Sequence, residues 1–134
     1  MARARGVGLD GSEFVGFIPV RDSTVARPFY EEILGLYLVD DTPFALVFDA
    51  FGTMLRVTPV GEFTPFPFTI AGFDVPDIDA TVASLAAAGV VFSRFDFMEQ
   101  DELGIWSAPG GARVAWFRDP DGNTLSLTTF PNAP

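Results

Sequence analysis

Two residue types that often carry chemistry are missing from this chain of 134 residues. There is no cysteine, which excludes a disulfide framework and thiolate chemistry and favours a reducing, cytoplasmic location. There is no histidine either, which removes the commonest general base near neutral pH and the commonest metal ligand. A metal site would therefore need oxygen ligands, which suit magnesium or calcium better than zinc, nickel or iron.

Positive charge and long apolar runs are also scarce. Eight basic residues against eighteen acidic ones give a net charge of −10, and a surface of that sign repels nucleic acid and anionic lipid but attracts a cation. No apolar run approaches the roughly 20 residues that span a membrane, so we expect a soluble protein with neither nucleic acid nor membrane as partner. Residues 1–12 include Arg3 and Arg5 with no apolar block behind them, and we expect a flexible tail there.

One sequence pattern occurs twice in the chain, in "GFIPVRDSTVARPFYEEILGL" (16–36) and in "AGFDVPDIDATVASLAAAGVV" (71–91). Each copy has an apolar strand ending in Val-x-Asp, then a helical stretch of about a dozen residues, then a glycine. Asp22 and Asp77 are expected N-caps, and Gly35 and Gly89 suit the left-handed position that ends a helix. Pro28 should bend the first helix near its start.

Strand-like runs follow each helical stretch, and short turn sequences separate them. They are "LYLVDD", "FALVFDAF" and "TMLRVTPV" in the first half, and "VVFSRFDF", "RVAWFRD" and "TLSLTTF" in the second. The sequence therefore predicts an α+β fold of two βαβββ modules (13–62 and 68–131), joined by a proline-containing linker (63–67). We expect curved mixed sheets with the helices outside.

Three motifs in order resemble the vicinal oxygen chelate superfamily, which includes glyoxalase I, extradiol dioxygenases and bleomycin-resistance proteins. They are "VRDSTVARPFYEEILGL", "VPDIDATVASLAAAGV" and "FRDPDGNTLSL", and with the strands between them the resemblance covers residues 14–130. It implies that the two modules form a cleft. In the bleomycin-resistance branch two subunits usually share that cleft, so a homodimer is implied as well. The resemblance fixes no reaction, because such folds host many functions.

The same resemblance identifies four cleft positions that hold the ligands in metal-using members. Here they fall on Val15, Arg56, Ile70 and Ser126. None is a good metal ligand, and Arg56 brings a fixed positive charge to the place where a cation would lie. We therefore expect neither a metal nor another cofactor.

Strand alternation extends this set to the rest of the cleft. The predicted ligand-binding residues are Val15, Phe17, Met54, Arg56, Phe68, Ile70, Trp116, Arg118, Ser126 and Thr128. An apolar and aromatic pocket with a few hydroxyl and guanidinium groups suits drug-sized or planar organic molecules. The long loop 98–111 is expected to flank this pocket, where Glu99, Asp101 and Glu102 would attract a cationic ligand.

Three functions remain open at this point. The first is a metal-independent, homodimeric binding protein that sequesters a small cationic or aromatic molecule. The second is a lyase, isomerase or dioxygenase with an atypical site, for which carboxylates such as Asp49, Asp74 and Asp96 would have to converge, although we expect Asp74 on the opposite face. The third is a ligand-sensing module. No catalytic residue is nominated, because no nucleophile–base pair is present.

Overall fold

The first half of the chain forms a mixed four-stranded sheet in the order β1-β4-β3-β2, in a computed structural model that describes residues 8–131. Strands β1 and β4 are parallel, and the other pairs are antiparallel. The strands are β1 (Val15–Val20), β2 (Tyr37–Asp41), β3 (Leu46–Ala50) and β4 (Thr53–Pro59). Of the predicted tail, residues 1–7 lie outside the described part, and Ser12 closes a turn by donating its backbone N–H to the Leu9 carbonyl.

The helical stretch of this half changes geometry at Pro28. Helix α1 (Ser23–Arg27) begins at Asp22, whose carboxylate accepts the Thr24 backbone N–H at 2.8 Å, as the capping pattern predicts. A π-helical segment (Pro28–Ile33) continues it, because proline has no N–H to extend the α-helical ladder. Gly35 follows with a φ of 73°, the left-handed conformation expected of it.

The second half repeats the plan with a sheet in the order β5-β8-β7-β6, in which only β5 and β8 are parallel. Helix α2 (Ile78–Ala87) is capped by Asp77, which accepts the Ala80 N–H at 3.1 Å, and Gly89 has a φ of 100°. The strands are β5 (Thr69–Asp74), β6 (Trp106–Ser107), β7 (Arg113–Arg118) and β8 (Thr124–Thr129).

One strand prediction was wrong. Residues 90–97 form no regular strand, and only Phe92 makes an isolated bridge to Phe117. The outer edge of β7 is shared by two short pieces, residues 92–93 near its C-terminal end and β6 near its other end. Residues 94–105 between these pieces are held by side-chain hydrogen bonds instead of a strand ladder. A groove is formed in this region.

The two modules share one hydrophobic core. The Phe29 ring lies 6.3 Å from Phe117 of the second sheet, and Tyr30 packs on Phe48 of the first. The buried Tyr30 hydroxyl also donates to Asp119 at 2.7 Å, which ties the modules together by a polar contact.

The predicted α+β fold of paired βαβββ modules is confirmed, although the two sheets do not close on each other. Strand β1 lies next to β5, while the sheet faces that look away from the core remain open. No helix in the described residues has the length and hydropathy needed to span a bilayer.

Candidate ligand-binding site

The outer face of the first sheet carries four of the predicted site residues. Val15 lies beside Met54, and Phe17 lies beside Arg56, in the parallel register of β1 and β4. Phe17 is 64% exposed and Met54 is 43% exposed, so this face presents apolar side chains to solvent. Within residues 8–131 the Arg56 guanidinium forms neither an ion pair nor a hydrogen bond, so its charge is not neutralised by a neighbour.

In the second sheet a β-bulge moves one predicted residue out of the site. The register of β5 on β8 shifts between Thr69 and Ala71, and Ile70 packs against the hydrophobic core with Ala71. Thr69 takes the position in the site, where its hydroxyl accepts the Trp116 indole N–H at 3.1 Å. The prediction that Ile70 faces the cleft was therefore wrong, because regular alternation was assumed across the bulge.

Ser126 lies in the middle of the second sheet and is tightly packed between the neighbouring strands β5 and β7. It lies beside Trp116 of β7 and Gly72 of β5 and is only 7% exposed. A Cβ added at Gly72 would come within 2.6 Å of the Ser126 Oγ, so the glycine leaves room for this hydroxyl. At the position where metal-using members carry a ligand, this chain has a small residue under an aromatic surface.

That aromatic surface is a continuous group of four rings, named here the aromatic cluster: Phe95, Phe97, Trp106 and Trp116. Phe95 meets Trp116 edge to face at 5.6 Å between centroids, and Trp106 lies 6.1 Å from Trp116 with the planes tilted by 36°. Phe97 extends the cluster from Phe95 at 5.5 Å and is 79% exposed. Ring contacts of this kind hold the platform together and leave ring surface open to a ligand.

A groove of about 1050 Å³ opens along the outer end of this cluster. Its lining residues are 97–101 and 105–107, so Phe97 and Trp106 supply aromatic walls, and Glu99 and Asp101 supply carboxylates. The loop 98–111 supplies most of this lining, whereas none of the ten predicted ligand-binding residues lies in it. The volume is slightly above the roughly 300–1,000 Å³ that is typical of sites for drug-sized molecules.

Side-chain hydrogen bonds fix the groove wall in place of a strand. The Gln100 carboxamide accepts the Phe95 N–H and donates to the carbonyls of Ser93 and Gly104, each at 2.8–2.9 Å. Arg94 donates from both terminal nitrogens to the carbonyls of Asp101 and Glu102 at 2.6 Å. The wall is therefore ordered before any ligand arrives, which lowers the entropic cost of binding.

The electrostatics of the groove favour a cation. Glu99 is exposed, and no other described side chain binds its carboxylate, whereas Asp101 is partly offset by Arg113 at 3.6 Å. Electron-rich faces of indole rings add attraction for a positively charged group.

The remaining predicted residues are spread over different places. Thr128 lies beside Val114 and Asp74 on the face of Ser126, whereas Phe68 is exposed and stacks on Phe66 at 5.4 Å. Asp74 therefore lies on the site face, and the expectation that it lies on the opposite face was wrong. Arg118, predicted to share the face of Trp116, lies two residues further along β7 beside Thr124 and lines a second cavity next to the π-helical segment.

These positions do not fit a metal ion. Of the four ligand positions, Val15 has no donor atom and Arg56 is a cation. Ser126 offers only a hydroxyl, and Thr69, which takes the place of Ile70, offers only a hydroxyl that already accepts the Trp116 N–H. Across residues 8–131 no three Asp or Glu side chains come together in a metal-binding arrangement, so Asp49, Asp74 and Asp96 do not converge.

The family model for the Glyoxalase/Bleomycin resistance protein/Dioxygenase superfamily matches residues 13–127, and the chain belongs to that superfamily. No curated protein matches the sequence.

Several solved structures share the fold. A lactoylglutathione lyase from Agrobacterium tumefaciens is 17% identical, covers 88% of this chain and 92% of its own, and has a TM-score of 0.68. A glyoxalase/bleomycin resistance protein/dioxygenase from Alicyclobacillus acidocaldarius is 22% identical over 89% and 91%, with a TM-score of 0.67. Oxidase ChaP-H2 is 22% identical over 90% and 94%, also at 0.67. Their names describe different activities, so the shared fold leaves the reaction open.

Proposed function

We propose that this protein binds a small aromatic cation in the groove beside the aromatic cluster, without a metal ion and without transforming the molecule. The observation that carries the proposal is the combination of Trp106 and Phe97 with the free Glu99 carboxylate in one ordered groove. The poor match of the four ligand positions to a metal supports binding rather than metal-dependent catalysis.

A planar aromatic cation such as ethidium tests the proposal, with binding followed by its fluorescence and by quenching of the two tryptophans. Trp106→Leu removes an aromatic wall and should weaken binding about thirtyfold, since ring stacking and cation–π attraction are each worth about 1 kcal/mol. Glu99→Gln should weaken it up to about fivefold, as expected of an exposed charge pair.

Glu102→Gln is the matched control for Glu99. Both are acidic residues of the same loop, but only Glu99 lines the groove. Equal losses from the two variants would indicate attraction by net charge alone and would contradict a specific site. A stoichiometric transition metal in the purified protein would favour the enzyme interpretation instead.

We also propose that two copies form a homodimer through the outer face of the first sheet. Exposed Val15, Phe17 and Met54 on that face support the idea, because an apolar patch of this kind commonly marks an interface. Phe17→Glu should yield a monomer in sedimentation velocity. Phe44→Glu, at another exposed phenylalanine in the β2–β3 turn, should leave the dimer intact. A monomeric parent protein would contradict the proposal.

A further inference from the structure

A second cavity, of about 420 Å³, lies between the two modules and away from the groove. The π-helical segment of the first module forms one wall, and the chain that follows α2 forms the other. It shares no lining residue with the groove. The lining residues are Phe29, Ile33, Gly89, Val90, Val91, Ser93 and Arg118.

The lining of this second cavity is apolar apart from Ser93 and Arg118. Phe29 and Ile33 belong to the core side, and Val91 is 84% exposed at the rim. Arg118 is the only charged residue in the lining. Apolar walls with a single cationic group suit a molecule that has an apolar body and one negative charge.

Arg118 has no protein partner within residues 8–131. All eight basic residues of the chain are arginines, and the eighteen Asp and Glu residues offer many carboxylates that could pair with them. The described arginines other than Arg56 and Arg118 are engaged by acidic side chains or loop carbonyls: Arg21, Arg27, Arg94 and Arg113. Arg118 therefore differs from these four paired arginines, because its guanidinium is left without a protein partner at an apolar cavity.

We propose that the second cavity binds an amphipathic carboxylate, with the carboxylate on Arg118 and the apolar body against Phe29, Ile33 and Val90. A guanidinium can bind a carboxylate through two parallel N–H···O bonds, which fixes the orientation of the ligand. This site is independent of the proposed cation groove, because the charge of its ligand and its lining residues are both different.

Calorimetric titration with decanoate tests the site. Arg118→Gln should weaken decanoate binding at least tenfold, and 1-decanol, which has the same apolar chain without the charge, should bind far more weakly than decanoate. Arg56→Gln is the matched control, since it removes the other unpaired guanidinium outside the cavity, and it should leave the affinity unchanged. Ethidium should not displace decanoate, which separates this test from that of the groove.

A second variant guards against a folding defect in Arg118→Gln. Val91→Glu places a negative charge at the exposed rim and should repel decanoate without disturbing the core. Decanoate should also shift the backbone amide resonances of residues 89–93. No binding to the parent protein, equal binding of 1-decanol, or loss of binding in Arg56→Gln in place of Arg118→Gln would each overturn the proposal.

Discussion

At the residue scale, the buried carboxylate of Asp119 holds the modules together. Its two oxygens accept four hydrogen bonds, from the N–H groups of Asp121 and Asn123, the Asn123 amide and the Tyr30 hydroxyl. The Asn123 amide also donates to the Pro19 carbonyl in the first module at 2.7 Å. The tight turn at the end of β7 thus joins the two halves of the chain.

Removing the Tyr30 hydroxyl tests how much its hydrogen bond to Asp119 stabilises the contact between the modules. Tyr30→Phe should lower the free energy of unfolding by about 1–3 kcal/mol, because it takes one hydrogen bond from a buried carboxylate. Tyr37→Phe is the control, since that ring is 72% exposed and its hydroxyl bonds to no described residue. Urea denaturation measures both variants; equal effects would contradict the role of Tyr30.

The packing of Gly72 against Ser126 makes a second residue-scale prediction. Gly72→Ala should destabilise the fold by about 1–3 kcal/mol, because its Cβ would lie 2.6 Å from the serine hydroxyl. Ser126→Ala should relieve most of that loss in the double variant, since the Ser126 Cβ lies at a comfortable 3.9 Å. Gly16→Ala, whose nearest neighbour is at 3.4 Å, serves as control. An additive double variant would contradict direct contact.

Sequence reasoning reached local features of this kind only in part. The caps at Asp22 and Asp77 and the positive φ of Gly35 and Gly89 follow from capping chemistry within a few residues. The bonds from Arg21 to Asp121 and from Tyr30 to Asp119 join residues about 90–100 positions apart, and no local pattern indicates them.

At the element scale, the segment between α2 and β7 differs most from expectation. Phe95 and Phe97 alternate as they would in a strand, but the Gln100 side chain bonds to the Phe95 N–H and the Ser93 carbonyl, which a strand partner would otherwise use. The bulge in β5 likewise exchanges Ile70 for Thr69 at the site. Alternation of apolar and polar residues indicates neither the missing strand nor the bulge. Sequence analysis therefore missed the aromatic cluster as a unit, although it predicted Trp116 as a site residue.

Gln100→Ala tests whether this side chain orders the groove wall. It should speed amide hydrogen exchange at Phe95 by about tenfold or more, because the variant removes the acceptor of that N–H. The stability of the whole protein should change little, since the segment lies outside the sheet. Glu102→Ala, which removes a side chain with no bond to the described wall, should leave the exchange rate unchanged. Unchanged protection at Phe95 in Gln100→Ala would show that the wall is held by other contacts.

At the scale of the whole molecule, stability should fall at both ends of the pH range. A hydrogen bond from Arg113 holds the pKa of Asp79 below its ordinary value of 3.8, and one from Thr24 lowers the pKa of Asp22. Native carboxylates with lowered pKa values bind fewer protons than unfolded ones. Their contribution is therefore present above about pH 4 and is lost as the pH falls.

The alkaline limb depends on Tyr30. Burial, with the adjacent negative charge of Asp119, raises the pKa of its hydroxyl well above the ordinary value of 10.0. The native state keeps this proton, so the contribution is complete below pH 10 and is lost as the pH rises further. Unfolding by urea from pH 3 to 11 should show both limbs. Asp79→Asn should flatten the acid limb and Tyr30→Phe the alkaline one; unchanged limbs would contradict these assignments.

The central claim is that the molecule binds an aromatic cation without a metal. The most direct measurement is a thermal-shift titration of protein stripped of metal by a chelator, with ethidium or metal-free bleomycin, repeated with magnesium, nickel or iron added. At a hundred times its dissociation constant a ligand should add about 2.7 kcal/mol, which a domain of this size reports as several degrees. We predict that shift from the organic cation and none from the metals. A shift that requires a metal, or one produced by a metal alone, would contradict the claim and favour an enzyme.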